Sequence, residues 1–386
     1  MATATLGCKV NQFESEAIRQ ALAGADYTLV PFEAQADLYL INTCTVTAEA
    51  DRQARQQVRR AIRTNPEALV VVTGCYAQRD PEAVAAIPGV DLVLGNGEKL
   101  DVHGLIPDLA EGALPQVVVG DPSQAEAVPA GLLERFEDRT RAFLQVQQGC
   151  DQSCTYCVIS GARGGSRSVP LRQIVRQVER WVAMGVREIV LTGVDIGCYG
   201  EDLEGGPDLA GLVAAVAERP GDFRLRLSSI DPTHISDALV ALFAAEPKLC
   251  PHLHLSLQHG DELILKRMKR RYGPGLVRER VAALREARPD LALGADVLVG
   301  FPTEDEQRFA RLEGLIDELE VAFPHVFPFS ARPGTPAARI PEQVPKAQRK
   351  ARAARIRAAG EAVRHRWLAS AVGTPQRVLV EGTDAD

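Results

Sequence analysis

The stretch "QQGCDQSCTYCVIS", residues 147–160, places Cys150, Cys154 and Cys157 in a C-x3-C-x2-C spacing. That spacing is neither the paired C-x2-C of a zinc knuckle nor the four-cysteine run of a ferredoxin. Soft thiolates select zinc, copper(I) or iron–sulfur clusters. A structural zinc takes four ligands in two pairs, and the sequence offers no second pair. A cube of four irons normally takes four cysteines, one per iron. Three thiols would leave one iron without a protein ligand, and an open position is what catalytic metal sites keep.

Outward from this stretch, the apolar run "AFLQVQ" (142–147) feeds directly into it. Five similar runs follow: "EIVLTG" (188–193), "FRLRLSS" (223–229), "HLHLSLQ" (252–258), "ADVLVG" (295–300) and "HVFPFS" (325–330). Helical periods lie between them, near 170–184, 208–218, 236–246, 276–287 and 304–319. Six βα units predict an α/β fold of the open, partial (β/α)6 barrel type, because a complete barrel needs eight. Its ligands should sit beyond the carboxyl ends of the strands.

The N-terminal part repeats the pattern. "ATATLG" (2–7), "ADLYLINT" (36–43), "ALVVVTG" (68–74) and "VDLVLGN" (90–96) alternate with helical periods at 14–23, 48–63 and 81–87. This predicts a parallel sheet covered by helices. Cys8, Cys44 and Cys75 each follow one of these strands. A single free cysteine is usually a small buried hydrophobe. Three in one topological position instead predict a shared rim. The expected organisation is an N-terminal α/β domain (1–100), a connector (101–137), the partial barrel (138–340), a basic helical segment (341–372) and a terminal remnant (373–386).

With 46% hydrophobic and 25% charged residues, the composition is that of a soluble globular chain. No apolar run approaches the ~20 residues that span a bilayer, so no membrane association is expected. The start, "MATATLGCKVNQFES", lacks the pattern of a signal peptide. A cytoplasmic location is expected, where the eight cysteines serve metal binding or catalysis rather than disulfides. The net charge of −7 argues mildly against nucleic acid. Basic residues are nevertheless clustered at 52–63, 266–271 and 346–367, in patches that can track phosphates or simply face solvent.

The cysteine motif, with an aromatic before its last thiol at the end of a first barrel strand, resembles that of the radical-SAM superfamily. The likeness then narrows. "TLGCKVNQFESEA", "INTCTVTAEADRQARQ" and "VTGCYAQ" resemble the N-terminal domain of the methylthiotransferases. "ARGGSRS", "LTGVDIGCYG", "RLSSIDP", "HLHLSLQHGDELILKRMKRRY", "DVLVGFPTE" and "HVFPFSARPGTPAA" resemble their radical-SAM domain. "TLGCKVNQ" and "SLQ…LKRMKRRY" are most similar to the MtaB-type branch. That branch places a methylthio group on carbon 2 of threonylcarbamoyladenosine, beside the anticodon of tRNA.

The resemblance implies two 4Fe–4S clusters and S-adenosylmethionine as cofactors. Cys150, Cys154 and Cys157 would hold the cluster that cleaves S-adenosylmethionine to a 5′-deoxyadenosyl radical. Cys8, Cys44 and Cys75 would hold a second cluster, whose open iron carries the sulfur to be methylated. Tyr156 would lie against the adenine and Asp195 would take the cofactor's ammonium group. Ser228, Ser229 and Gln258 would reach its ribose or carboxylate. Implied partners are the tRNA substrate, a sulfur donor, and an electron donor such as a flavodoxin or ferredoxin.

Arg163 and Arg167 are placed to pair with a carboxylate or phosphate. Asp296 is expected at the start of a strand, with a structural role. His252, His254 and His259 are expected in the barrel interior or on a surface face, and Cys198 and Cys250 as thiols without partners. The segment "GTPQRVLVEG" resembles the first strand of the RNA-binding β-barrel with which relatives end, and the barrel is expected to be truncated or absent. Two further readings stand beside the first: methylthiolation of another tRNA adenosine or of a ribosomal protein aspartate, and a non-enzymatic iron–sulfur or zinc protein that binds RNA.

Overall fold

The structure is a computed structural model that describes residues 1–25, 27–110, 116–125, 128, 133–134 and 140–381, with 107–110 described for the backbone alone. Two compact units make up the chain. The first comprises Met1–Glu137, Phe143–Gln152 and Cys157–Val169; the second comprises Asp138–Ala142, Ser153–Tyr156 and Pro170–Asp386.

In the first unit β1 (Ala2–Thr5), α1 (Lys9–Ala23), β2 (Leu38–Thr43), α2 (Ala48–Thr64), β3 (Leu69–Gly74), α3 (Cys75–Arg79), α4 (Pro81–Ala85), β4 (Leu92–Leu94), α5 (Val102–Ala110) and β5 (Val117–Val118) follow in order. The strands form one parallel sheet in the order β1-β2-β3-β4-β5. Both faces are covered, which is why the strands read as unbroken apolar runs. Leu38 and Leu40 of β2 pack with Ile18 and Leu22 of α1 and with Val102 and Ile106 of α5. Tyr39 and Ile41 face the other way, onto Ala54, Val58 and Ala61 of α2. The two-residue period of the strand assigns these faces. Thr47 caps α2 by accepting from the Ala50 N–H, and Glu49 and Asp51 in the first turn complement the helix dipole.

Next come β6 (Arg141–Gln145), β7 (Gln147–Gln148), α6 (Ile159–Arg163) and β8 (Arg167–Ser168). β7 and β8 pair antiparallel, Gln147 opposite Ser168.

The second unit continues with α7 (Leu171–Ala183), β9 (Glu188–Thr192), α8 (Leu209–Ala217), β10 (Arg224–Leu227), β11 (Ser229–Ile230), α9 (Asp237–Ala245), β12 (His252–Gln258), α10 (Glu262–Arg267), α11 (Pro274–Ala287), β13 (Ala292–Val299), α12 (Glu306–Glu318), β14 (Val321–Pro328) and α13 (Lys346–Ala371). A three-stranded sheet has the order β10-β9-β6, and a four-stranded sheet the order β11-β12-β13-β14. The break between them falls at Ser228, between β10 and β11. The alternation of strand and helix expected for a partial barrel is present, with the barrel helices within a few residues of their expected bounds.

Two local readings change, and a third gains detail. The stretch taken as a connector supplies α5 and the fifth strand of the N-terminal sheet, while residues 111–115, 126–127, 129–132 and 135–139 of that stretch and its surroundings lie outside the described residues. Cys75 does not merely follow a strand; it opens α3. Asp296 lies in the middle of β13, not at its start, because the apolar run begins at Ala292. After α13, residues 372–381 carry no strand, and 382–386, the end of the expected terminal remnant, lie outside the described residues. No helix among the described residues is long and apolar enough to cross a membrane.

Candidate metal centre

The loops after β1, β2 and β3 bring Cys8, Cys44 and Cys75 together, and two glycines make the approach close. Gly7 has φ +100°, and a side-chain carbon there would lie 2.7 Å from Cys44 Cβ and 3.0 Å from its Sγ. Gly74 has φ +95°, and the same carbon would lie 2.4 Å from the Thr43 carbonyl oxygen. Only glycine tolerates both the positive φ and the contact. Asn11, on the buried side of α1, ties two of the loops by donating to Leu6 O at 2.8 Å and Thr43 O at 2.9 Å. Burial, with the neighbouring Cys75 and Cys8, pushes the Cys44 thiol up to about 12.

Arg163, at the end of α6, is buried in the same unit. Its Nε donates to Cys75 Sγ at 3.2 Å, and its Nη2 donates to Asn11 Oδ1 at 2.5 Å. Its Nη1 donates to Glu14 Oε1 at 2.8 Å and Gln148 Oε1 at 2.7 Å. Lys99, also buried, reaches Glu14 Oε2 at 2.5 Å and donates to Asn96 Oδ1 at 2.8 Å. Burial raises the Glu14 carboxyl, but Arg163 and Lys99 outweigh it and bring the carboxyl down to about 2. Among the described residues Glu14 thus meets both Arg163 and Lys99, and burial works against the Lys99 charge while Glu14 supports it. Isolated buried charge is costly. A negatively charged sulfur-ligated metal group would offset it, so the donor set and the local charge both fit such a group. Of the two arginines expected to pair with a carboxylate or phosphate, Arg163 meets the Glu14 carboxylate, while Arg167 donates to the Pro122 and Ala125 carbonyls.

In the second motif, Cys150 and Cys157 belong to the first unit and Cys154 to the second. All three are partly exposed. The Gln152 N–H donates to Cys150 Sγ at 3.4 Å and the Ile159 N–H donates to Cys157 Sγ at 3.4 Å. Backbone donors of this kind stabilise thiolates. Cys154 Sγ accepts from Arg270 Nη1 at 3.4 Å, and Arg270 Nη2 bonds Asp231 Oδ2 at 2.5 Å. Burial works against the Arg270 charge, yet Tyr272, Tyr156, Asp231 and Cys154 raise its pKa well above the ordinary range. The guanidinium is therefore a fixed cation beside the thiol.

Tyr156 packs edge-on against Phe301, centroids 6.5 Å apart, beside the cluster of Ile264, Met268 and Phe329. Asp195 is buried, with Cys198 Sγ 3.6 Å from its Oδ2 and His234 Nδ1 3.7 Å from its Oδ1. Cys198 thus gains partners that its sequence context did not announce. Ser229 donates to Asp296 Oδ2 at 3.1 Å. Gln258 ends β12 at φ +56°. His259 is buried against Glu304 Oε2 at 3.0 Å. Glu14, Asn11, Lys99, Asp231 and Arg270 were not singled out as site residues. Their sequence signal is polar character on otherwise apolar faces, as at Asn11 and Glu14 beside Val10 and Ile18 of α1.

Residues 1–95 match the family model described as "Uncharacterized protein family UPF0004", and residues 144–316 match that of the "Radical SAM superfamily". The threonylcarbamoyladenosine tRNA methylthiotransferase MtaB of Rickettsia prowazekii (strain Madrid E) is 41% identical over 98% of this chain and 87% of its own length. The protein of the same name from Bacillus subtilis (strain 168) is 42% identical over 88% of this chain and 75% of its own length. Among solved structures, the radical S-adenosylmethionine methyltransferase TsrM from Kitasatospora setae has a TM-score of 0.62 at 15% identity, covering 87% of this chain and 73% of that one, a likeness of fold. Sheet, partial barrel and both cysteine trios fall within the length shared with the Rickettsia protein, and on that likeness the chain belongs to the radical-SAM methylthiotransferase family.

Proposed function

We propose that the protein transfers a methylthio group to carbon 2 of threonylcarbamoyladenosine next to the tRNA anticodon. It would use two 4Fe–4S clusters and two molecules of S-adenosylmethionine per turnover. Cys8, Cys44 and Cys75 would hold one cluster; Cys150, Cys154 and Cys157 would hold the other. When bound, such clusters supply an iron without a protein ligand, open to sulfur or to S-adenosylmethionine. The chain's own residues do the rest. Arg163 and Lys99 supply the charge that a cluster at the first trio needs, and Arg270 does the same beside Cys154. Tyr156, Asp195 and Gln258 are retained as candidate contacts of S-adenosylmethionine, while Ser229, expected beside them, donates its hydroxyl to Asp296.

One observation carries this reading: a buried guanidinium bonds Cys75, one of three thiols that follow neighbouring strands, in a unit that also contains two thiols of the radical-SAM motif. The names of the relatives at about 40% identity support the tRNA substrate.

Anaerobic reconstitution should give about eight irons and eight sulfides per chain. The C44S/C75S double variant should retain about four of each. It should still release 5′-deoxyadenosine while forming no methylthio product, whereas C154A should release none. A C44S/C75S protein with its full iron content, or methylthiolated adenosine persisting in tRNA from cells lacking the protein, would sink the assignment.

A further inference from the structure

Strands β12, β13 and β14 carry a group of side chains that belongs to neither cysteine trio. His254, Asp296 and His325 offer three ligand atoms within 4.8 Å of one another. Asp296 Oδ1 lies 3.2 Å from His254 Nε2 and 3.6 Å from His325 Nδ1. Its other oxygen, Oδ2, accepts the Ser229 hydroxyl. Strand register produces this convergence: Asp296 is paired with His325 across β13 and β14, and Ser229 with His254 across β11 and β12. Alternate residues of a strand share a face. The opposite face of β12 and β13 is taken by the buried Leu253, Leu255, Ala295 and Val297. Gly294 lies opposite His254, where a side-chain carbon would come within 2.4 Å of the ring's Nδ1.

Two features distinguish the group from an ordinary polar core. His254 is 8% exposed, yet its Nε2 has no hydrogen-bond partner although it faces Asp296 Oδ1. Buried polar atoms are normally paired. The buried His259 of the same unit shows the usual outcome, meeting Glu304 at one nitrogen and the Asp261 N–H at the other. A short contact outside hydrogen-bond geometry is what lone pairs aimed at a common point produce. With metal–ligand bonds of ~2.1 Å, such atoms stand roughly 3.0–3.5 Å apart. The second feature is the donor set. Two imidazoles and one carboxylate are the ligands of open zinc and non-haem iron(II) sites. A hydroxyl holding the free carboxylate oxygen is the usual outer support.

We propose that His254 Nε2, His325 Nδ1 and Asp296 Oδ1 bind a divalent transition-metal ion, with Ser229 orienting the carboxylate and the remaining positions taken by water. His325 is exposed, so the ion is reachable from solvent. The site uses none of the six cysteines and does not depend on the reaction assigned above. The test is titration of cobalt(II) into protein whose clusters have been reconstituted anaerobically. One cobalt per chain should bind with visible d–d absorption and without the charge-transfer band of thiolate ligation. H325A, a change at an exposed side chain, should weaken binding by at least about tenfold, and S229A by about tenfold. Melting followed by circular dichroism establishes that each variant is folded. No bound cobalt, cobalt showing only thiolate charge transfer, or an affinity unchanged in H325A would overturn the proposal.

Discussion

Glu14 is the residue on which the first unit's interior turns. Among the described residues it is the carboxylate that meets both Arg163 and Lys99, and all three are buried. Removing one member of such a group leaves charge without compensation and costs about 3–5 kcal/mol. E14Q should lose stability of that order in cluster-free protein under anaerobic denaturation, and less once the clusters are reconstituted. The pH dependence has a definite sign. The folded carboxyl is lowered from 4.5 to about 2. Its contribution is therefore present above the ordinary carboxylate pKa and is lost as pH falls toward 2. Wild type should show this acid slope, and E14Q should lack it; identical slopes would refute the role. The six cysteines and Arg163 could be singled out from the sequence because spacing and position at strand ends are local properties. Glu14 was not, since its partner Arg163 lies 149 residues away and a glutamate in a helix is otherwise unremarked.

Among elements, α13 depends on one small residue. A side-chain carbon at Gly360 would lie 2.3 Å from Pro324 Cγ of β14, so the helix lies directly on the strand there. Trp367 adds an edge-on contact with Phe323 of the same strand, centroids 5.8 Å apart. In an open helix, glycine to alanine stabilises by about 1 kcal/mol. Here the sign should reverse, with G360A costing about 1–3 kcal/mol through overpacking, as measured by denaturant midpoint. A G360A protein more stable than wild type would show that α13 can move off β14. The barrel strands and helices were readable because each has a clear period and a turn at its end. β5, two residues long, and α3, five residues long, are too short to display a period, and only tertiary pairing makes them visible.

For the whole molecule, the three basic clusters prove unequal. On α13, Arg352 is buried against Glu304, Arg355 bonds Glu306 and Glu313, and Arg366 meets Asp317. In the 266–271 segment Arg270 faces Cys154, and Arg267 is committed to Thr303. The counter-charges come from other elements, which is why a run of arginines in sequence overstates the free positive field. On α2, Arg59 and Arg63 are exposed one turn apart. If tRNA is the substrate, R59Q/R63Q should lower its affinity and flatten the dependence of log Kd on log salt by about 0.7–0.9 per lost phosphate contact. R355Q/R366Q should leave that slope nearly unchanged, and equal effects of the two pairs would discard α2 as the contact surface. The buried Arg163 guanidinium beside Cys75 has a consequence in the cell if the first trio holds the proposed cluster. Chains made without iron would then lack the group that this charge faces and would open more often, and proteases clear open chains first. The abundance of the protein would then follow iron supply without any dedicated regulator.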